Sequence, residues 1–468
     1  MSGFDTVVHL VYLGCATLFV AGLHLMNAPA TARRGNRVSA AGMALAIVTT
    51  VVVLAWHHQT GRTAAIVLAA GLAGGTVAGL VAARRVRMTA MPQLVSLFNA
   101  VGGGAAALIA LTDSVENGTR GLPAQTTVTT VLDLAIGGVT FSGSLIAAGK
   151  LAGRVPGRPI TVPAGRAITA ALTAVVVVLA TLFVAGHGGV PSLCALTLAA
   201  LAAGVLLTLP IGGADMPVVI SLLNACTGTA VAMAGFVLDS SPLIIAGALV
   251  GAAGAILTKL MADAMNRPVG AILAGGYGTG DAVAVASGAG SAAVREITVD
   301  DAAIQLAYAG KVVIVPGYGL AAAQAQHEAV ALAQALTDHG VRVSYGIHPV
   351  AGRMPGHMNV LLAEANAPYT QLRDLEEINP EFPRTDVVLV IGANDVTNPA
   401  ARRPGNPVSG MPILDVDKAK SIIVIKRSLG HGYAGIDNEL YADPKTAMLF
   451  ADAKAGLAAL IAGLHAYA

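Results

Sequence analysis

The sequence predicts an α-helical polytopic membrane domain followed by a Rossmann-like α/β domain with a doubly wound parallel sheet. The chain of 468 residues is 55% hydrophobic and only 12% charged, whereas soluble globular proteins carry about 25% charged residues. Charged residues return at ordinary density only from about residue 270. Beyond residue 310, short apolar runs alternate with helix-like segments, which is typical of parallel α/β sheets.

Nine apolar segments in the first half of the chain have about the length needed to cross a membrane. They are 5–26, 38–56, 63–83, 91–112, 127–149, 165–186, 190–210, 216–238 and 242–263. Residues 1–30 lack a basic stretch before their apolar core, so we interpret the first segment as a membrane helix and not as a cleaved signal peptide. The three cysteines all lie in apolar stretches, which indicates buried packing and no metal site.

The loops between these segments alternate in charge. Arginines follow the first and third segments, and lysine and arginine surround the gap after the fifth. Basic loops lie preferentially in the cytoplasm. The N-terminus is then expected outside, and an odd number of spans puts the C-terminal domain in the cytoplasm.

Two membrane segments share a polar pattern. Met91–Asn99 resembles Met216–Asn224, and each begins with Met-Pro and places an Asn eight residues later. A buried amide needs a partner or water, so this pair indicates either a hydrated path or an interhelical hydrogen bond, and the sequence favours neither. Asp215 precedes the second pattern, and Asp133 lies inside a span.

The α/β region is predicted to contain five strands and three helices. The strands are 311–316, 341–346, 386–391, 411–416 and 421–426, and the helices are 322–338, a helix near 356–366, and 451–465. The glycine-rich residues 266–300 are interpreted as a linker.

Gly317-Tyr-Gly319 follows the first predicted strand and precedes a helix, as in phosphate-binding loops. Ala322 replaces the third glycine of the dinucleotide fingerprint. The second strand has no acidic residue at its end, which disfavours NAD and permits a 2′-phosphate. The net charge of +2 is too small to indicate nucleic-acid binding.

Three further motifs follow predicted strands or lie near their ends. Lys426-Arg427-Ser428 could bind a phosphate, although a solvated basic strand end is the plain alternative. Gly392–Asp395 offers an acid whose pKa a bound nucleotide could tune, or a simple turn. Gly430–Gly435 has the glycines of a mobile lid.

The runs Pro-Gly-Tyr-Gly-Leu-Ala, Gly-Ile-His-Pro-Val-Ala-Gly-Arg-Met-Pro-Gly-His, Gly-Ala-Asn-Asp-Val-Thr-Asn-Pro-Ala and Lys-Arg-Ser together resemble the β subunit of the proton-translocating NAD(P) transhydrogenase. This resemblance covers nearly the whole chain. It implies a bacterial inner-membrane protein with NADP(H) on this chain. NAD(H) would lie on a partner α subunit that adds further membrane helices, and such assemblies would pair as dimers. Reversible hydride transfer would be coupled to inward proton flow.

The resemblance also implies domain boundaries and site residues. Residues 1–265 would translocate protons, 266–300 would be the linker, and 301–468 would bind NADP(H). The implied NADP(H) contacts are Pro316, Gly317, Tyr318, Gly319, Ala321, Val350, Ala351, Gly352, Arg353, Met354, Gly392, Ala393, Asn394, Asp395, Lys426, Arg427, Ser428, Gly432, Tyr433 and Ala434. Asp395 would couple nucleotide binding to proton movement.

The implied proton-path residues are Asn99, Ser144, Asp215 and Asn224. Some relatives carry His at the position of Asn99. Because Asn cannot titrate, a water wire or a titratable partner residue would have to carry the proton here.

Two other functions are compatible with the pattern of segments. A nucleotide-gated channel or transporter would show nucleotide-dependent flux without hydride exchange. A membrane-anchored NADPH dehydrogenase would remain active after cleavage within residues 270–290.

Overall fold

The computed structural model describes residues 3–26, 29–56, 61–119, 121–156, 159–212, 215–265, 268–273, 294–352, 356–404, 408–430, 432 and 434–466. The chain divides into two compact units. The first comprises Met1–Pro210 and Val219–Leu257, and the second comprises Ile211–Val218 and Thr258–Ala468.

Nine helices among the described residues are long and apolar enough to cross a membrane. They are α1 (Gly3–Leu25), α2 (Pro29–Trp56), α3 (Arg62–Arg85), α4 (Met91–Glu116), α5 (Ala124–Leu151), α6 (Gly165–Val184), α7 (Val190–Thr208), α8 (Met216–Val237) and α9 (Ser241–Ala264). Each predicted span overlaps one of these helices. Helix α2 begins well before its predicted span because the basic residues around Arg33 continue the helix beyond its apolar part.

Helices α4 and α5 pack closely because glycines face each other. A Cβ atom added to Gly137 would overlap the carbonyl oxygen of Gly103, and one added to Gly103 would contact the Thr140 side chain. Small residues at such positions let two membrane helices approach backbone to backbone.

The second unit contains a six-stranded parallel sheet. After α10 (Val269–Leu273) and α11 (Val299–Ala307), the chain runs through β1 (Lys311–Pro316), α12 (Tyr318–Ala322), α13 (Gln326–Asp338), β2 (Arg342–Gly346), α14 (His357–Glu364), β3 (Leu372–Arg373), α15 (Leu375–Ile378), β4 (Val387–Ile391), β5 (Ser421–Lys426), β6 (Thr446–Phe450) and α16 (Ala453–Ala466). The spatial order is β3-β2-β1-β4-β5-β6. This is the order of a doubly wound dinucleotide-binding sheet, with its switch point between β1 and β4.

The central strands are apolar because the sheet has two covered faces. All five residues of β4 are buried, and near-continuous apolar runs of this kind are expected in strands enclosed on both sides. One core cluster joins Val313 and Val388 to Phe382, Val424 and Met448.

The predicted strand 411–416 is wrong. Its residues pack as irregular chain, and their backbone groups bond to loops instead of a strand ladder. The Leu414 amide donates to the Val396 carbonyl at 2.9 Å, and the Asn379 side chain binds both Ile413 O and the Asp415 amide at 3.0 Å. Proline at position 412 has no amide hydrogen to offer to a ladder.

The predicted helix 322–338 begins only at Gln326. Helix α12 ends at Ala322 and α13 begins at Gln326, and between them Gln324 adopts a φ of +52°. A non-glycine residue with positive φ cannot continue a right-handed helix. In the linker predicted at 266–300, residues 266–267 and 274–293 lie outside the described part of the chain.

Candidate functional site

The turns after β1 and β4 meet at the switch point of the sheet. The Gly317 amide donates to Ile391 O at 2.9 Å, and the Gly319 amide donates to Gly392 O at 3.0 Å. A Cβ atom at Gly317 would overlap the backbone of Gly392 and Ala393, and one at Gly319 would overlap Gly392. Both glycines are therefore needed for the close approach of the two turns. The fold thereby brings together the predicted motifs Gly317-Tyr-Gly319 and Gly392–Asp395.

Asp395 lies against the segment predicted as a lid. Its Oδ2 accepts a hydrogen bond from the Ala434 amide at 3.1 Å. A Cβ atom at Gly432 would overlap the Asp395 carboxylate, so only glycine allows this approach. Tyr433 lies outside the described residues. Asp395 and the first residue of the predicted lid, Gly430, are 35 positions apart in the sequence, and the fold puts the acid and the lid in contact.

A buried polar network lies next to Asp395. The Asn438 side chain donates to Asn394 O at 3.0 Å. The hydroxyl of Tyr441 lies 3.2 Å from both Ala393 O and Asn394 Oδ1, and it can donate its hydrogen to either acceptor. Sequence reasoning missed Asn438 and Tyr441 because neither belongs to a recognised motif, although they follow the Gly430–Gly435 segment closely. The Asn-x-x-Tyr spacing before β6 is the only local signal, and it is weak.

Lys426 connects this network to the basic strand end. Its ammonium nitrogen lies 4.7 Å from the centre of the Tyr441 ring, which is within cation–π range, and it donates a hydrogen bond to Gly430 O. Burial lowers the pKa of Lys426, and the negative charges of Asp395 and Asp437 partly oppose that shift. Burial also raises the pKa of Tyr441, so its phenol stays a neutral donor.

The two residues after Lys426 are solvent-facing. Arg427 and Ser428 are both exposed. A half-buried ammonium, an exposed guanidinium and a hydroxyl in sequence at the carboxyl end of β5 suit a phosphate group.

The turn at Val350–Gly352 is held by two buried histidines. His348 Nδ1 accepts from the Val350 amide at 3.2 Å, so its Nε2–H donates to Pro412 O at 2.7 Å. Burial lowers the pKa of His348 to about 4, against the smaller opposing effect of the Pro412 bond. A Cβ atom at Gly352, where φ is +101°, would overlap the His357 ring. Arg353 and Met354 of the same predicted motif lie outside the described residues.

The polar membrane residues join α4 to two other helices. The side chain of Asn99 is 4% exposed, and its Nδ2 donates to Ile220 O on α8 at 3.3 Å. The Ser96 hydroxyl donates to Ser144 O on α5 at 2.8 Å. The Asn99 bond matches the interhelical alternative and does not by itself require a hydrated path. Asn224 is half-buried on α8.

Asp215 is buried directly before the first residue of α8. The remaining predicted contacts Pro316, Tyr318 and Ala321 lie in β1 and α12, beside the Gly317–Gly319 turn.

A doubly wound sheet with a glycine crossing at its switch point and a basic strand end defines a dinucleotide-binding domain, here in one chain with a bundle of membrane helices. The sequence model of the family described as NAD(P) transhydrogenase beta subunit matches residues 8–463. The chain belongs to this family of oxidoreductases and is an integral membrane protein.

Two curated relatives carry the name NAD(P) transhydrogenase subunit beta. One is from Rhodospirillum rubrum and the other from Rhodospirillum rubrum strain ATCC 11170. Each is 49% identical to this chain over 452 residues, which is 95% of this chain and 96% of the relative. The similarity therefore extends over both the membrane helices and the α/β domain.

Proposed function

We propose that this chain binds NADP(H) across the β1/β4 edge of its sheet and exchanges hydride with NAD(H) held by a partner alpha subunit, with proton movement across the membrane. The reaction would be NADH + NADP⁺ + H⁺(out) to NAD⁺ + NADPH + H⁺(in). The contact of Asp395 with Gly432 and Ala434, beside Lys426, is the observation that carries this proposal. It links an acid, a glycine-rich segment and a phosphate-binding lysine in one place.

The residues of the strand ends would hold the nucleotide. Lys426, Arg427 and Ser428 offer charge-assisted and hydroxyl contacts to a 2′-phosphate. The glycines of the turns at Gly317–Gly319 and Val350–Gly352 carry no side chain and would let the nucleotide approach the main chain closely, and Arg353 and Met354 complete the second turn in sequence. When bound, NADP(H) supplies the nicotinamide ring that gives or accepts the hydride. The protein's own task is to position this ring and exclude water.

Asp395 would couple the nucleotide to the proton. Its carboxylate accepts the Ala434 amide bond, so a change in its charge would alter how the segment 432–434 closes. If protonation of a group changes the affinity of the protein for NADP(H), then binding of NADP(H) must change the proton affinity of that group by the same factor. Asn99, Ser144, Asp215 and Asn224 would form the polar route through the membrane.

The proposed orientation and assembly are based on loop charge and on the family. The arginine-rich loops support a bacterial inner-membrane protein with its N-terminus outside and its NADP(H) domain in the cytoplasm. The domain boundaries 1–265, 266–300 and 301–468 remain part of this proposal. The beta subunit would form a complex with an alpha subunit. Two such complexes would pair as a dimer in the lipid bilayer.

Reconstitution tests the proposal. The chain and its alpha subunit are placed in vesicles with the NADP(H) domain facing outward, and NADPH formation from NADH and NADP⁺ is followed with and without a proton gradient. We expect a gradient directed toward the NADP(H) domain to accelerate the reaction and an uncoupler to remove the acceleration. Hydride exchange that is indifferent to the gradient would contradict the coupling, and nucleotide-dependent proton flux without hydride exchange would favour a channel.

A further inference from the structure

One face of α5 carries a row of buried polar side chains at helical spacing. They are Thr130, Asp133, Thr140 and Ser144. All four residues are 0% exposed. Within the described part of the chain, neither carboxylate oxygen of Asp133 has a hydrogen-bond partner, and the three hydroxyl oxygens have none either.

Other hydroxyls on the same helix behave differently. The Thr129 hydroxyl donates to Gln125 O at 2.9 Å, which is the usual return bond of Thr in a membrane helix. The Ser142 hydroxyl donates to Leu201 O on α7 at 2.7 Å. The unpaired oxygens are thus confined to one face. Unpaired polar groups in an apolar interior are energetically costly, so their presence along a membrane helix indicates a function.

That face packs against α4. Gly103 meets Thr140 and Gly137, and Ser96 binds the backbone of Ser144. The positions beside Asp133 are apolar, since Val131 and Leu134 belong to a buried cluster with Leu193 and Leu196 of α7.

Few titratable groups lie on the helices around Asp133. The helices packed against α5 are α4, α6, α7 and α8. The titratable residues on these four helices are Asp113, Glu116, Arg166, Cys194 and Cys226. Lys150 lies at the other end of α5 itself. Asp113 is half-buried and accepts a bond from the Asn117 side chain at 2.8 Å, and Glu116 is exposed. Asp133 is the buried carboxyl group of this set.

We propose that Asp133 is the proton-binding side chain of the membrane route, and that the hydroxyls of Thr140 and Ser144 continue the route toward the level of Asn99. This inference rests on the proton coupling proposed above. Asp133 would be the titratable group of the route, a role that Asn99 cannot have because an amide side chain does not titrate. Thr130 lies one turn before Asp133 and would pass the proton to it from the side on which α5 begins.

The transfer balances without a cofactor. A proton from water adds to the Asp133 carboxylate, and the resulting carboxyl later releases it to the next acceptor. Each hydroxyl along the face accepts one proton and gives up its own, so every side chain is regenerated and one proton has moved. About 10 Å along the helix separates Asp133 from Thr140, so water must complete this interval. The close contact of Gly103 with Gly137 lies there, and α4 and α5 would have to separate slightly to admit it.

The test uses the full complex of this chain and its alpha subunit in vesicles. Gradient-driven NADPH formation and NADPH-driven proton movement, followed with a pH-sensitive dye, are measured for Asp133→Asn and Asp133→Glu. We expect Asp133→Asn to lower both by about 100-fold, as for loss of a positioned proton carrier. Asp133→Glu should restore much of the activity with a displaced pH profile. Asp113→Asn, the half-buried acid of the neighbouring helix, and Ser142→Ala should both behave like the parent.

Each outcome decides something. Proton movement at the parental rate in Asp133→Asn would overturn this inference alone. A parent complex that exchanges hydride but moves no protons would overturn the proposed coupling, and this inference with it. If Asp133→Asn does not assemble, Asp133→Glu decides, because a parental pH profile in that variant would contradict proton binding at this position.

Discussion

The ammonium nitrogen of Lys426 lies 4.7 Å from the centre of the Tyr441 ring, while the hydroxyl of the same tyrosine reaches the turn that carries Asn394. Lys426 ends β5, and Asn394 follows β4. A single buried side chain therefore connects the basic strand end to the turn that leads into Asp395.

Replacing Tyr441 by Phe keeps the ring beneath Lys426 and removes the hydroxyl. One neutral hydrogen bond contributes about 1 kcal/mol, so we expect a stability loss of that order and NADP⁺ affinity weakened by no more than about fivefold. Calorimetric unfolding and titration with NADP⁺ measure the two effects. Tyr308→Phe is the control, because Tyr308 is 84% exposed. Equal effects of the two substitutions would show that the Tyr441 hydroxyl has no special role.

Lys426 and Arg427 are predicted to select the phosphorylated nucleotide. Replacing either by Ala would remove a proposed charged partner of the 2′-phosphate. Such a contact is worth about 1.5–3 kcal/mol, so we expect NADP⁺ affinity to fall by about 10- to 150-fold. NAD⁺ binding should change little. Lys420→Ala is a matched control, since Lys420 precedes the same strand at its opposite end and pairs with Asp386 at 2.8 Å. A similar loss for both nucleotides would argue against 2′-phosphate recognition.

Asp395→Asn keeps the shape of the side chain and removes its charge. The bond from the Ala434 amide becomes a neutral one, and charge-assisted bonds are roughly twice as strong. We expect faster NADPH release, by up to about tenfold, and slower coupled turnover. Stopped-flow release and vesicle assays measure these rates, with Asp338→Asn on the exposed end of α13 as the control. Unaltered release and turnover would remove Asp395 from the coupling.

We predict that the turn at Val350–Gly352, which His348 holds, is destabilised by acid. The pKa of His348 is lowered from 6.5 to about 4 by burial, so between these values the unfolded chain binds more protons than the folded one. Stability is then complete above about pH 6.5 and falls as the pH decreases toward about 4. The unfolding temperature of the α/β domain, measured by calorimetry across this range, should show this slope. His348→Gln should reduce it, and His327→Gln, at an exposed position on α13, should leave it intact.

Gly392 is predicted to tolerate no side chain. Its φ is +62°, and a Cβ atom would overlap the backbone of Gly319. Gly340 also has a positive φ, of +82°, but open space around it. Gly340→Ala should therefore cost only the conformational penalty of about 1 kcal/mol, while Gly392→Ala should cost more and also weaken NADP⁺ binding. Equal unfolding temperatures for the two variants would contradict the importance of the contact.

The sequence was sufficient for the elements that carry strong local signals. The nine membrane segments can be recognised because a span needs about 20 apolar residues. The strands β1, β4 and β5 can be recognised because burial on both faces of the sheet requires uninterrupted apolar residues. The motifs at Gly317, Gly392 and Lys426 follow these strands directly. Their convergence could be predicted because parallel strands bring their carboxyl ends to one edge.

Other features depend on distant partners and were missed or misread. Strand β3 has two residues and no pattern to detect. Residues 411–416 are apolar enough for a strand, but they are held by Val396 and Asn379 through contacts that no local rule contains. The roles of Asn438 and Tyr441 arise only when the segment after β5 folds back over the turn at Asn394.

The crossing of Gly319 with Gly392 has a mechanical consequence. Two main chains touch there without any side chain between them to absorb a displacement. We therefore expect a displacement of the turn after β1 to shift the turn after β4 as well. Asp395 follows Gly392 by three residues on that second turn, so its position would change with it.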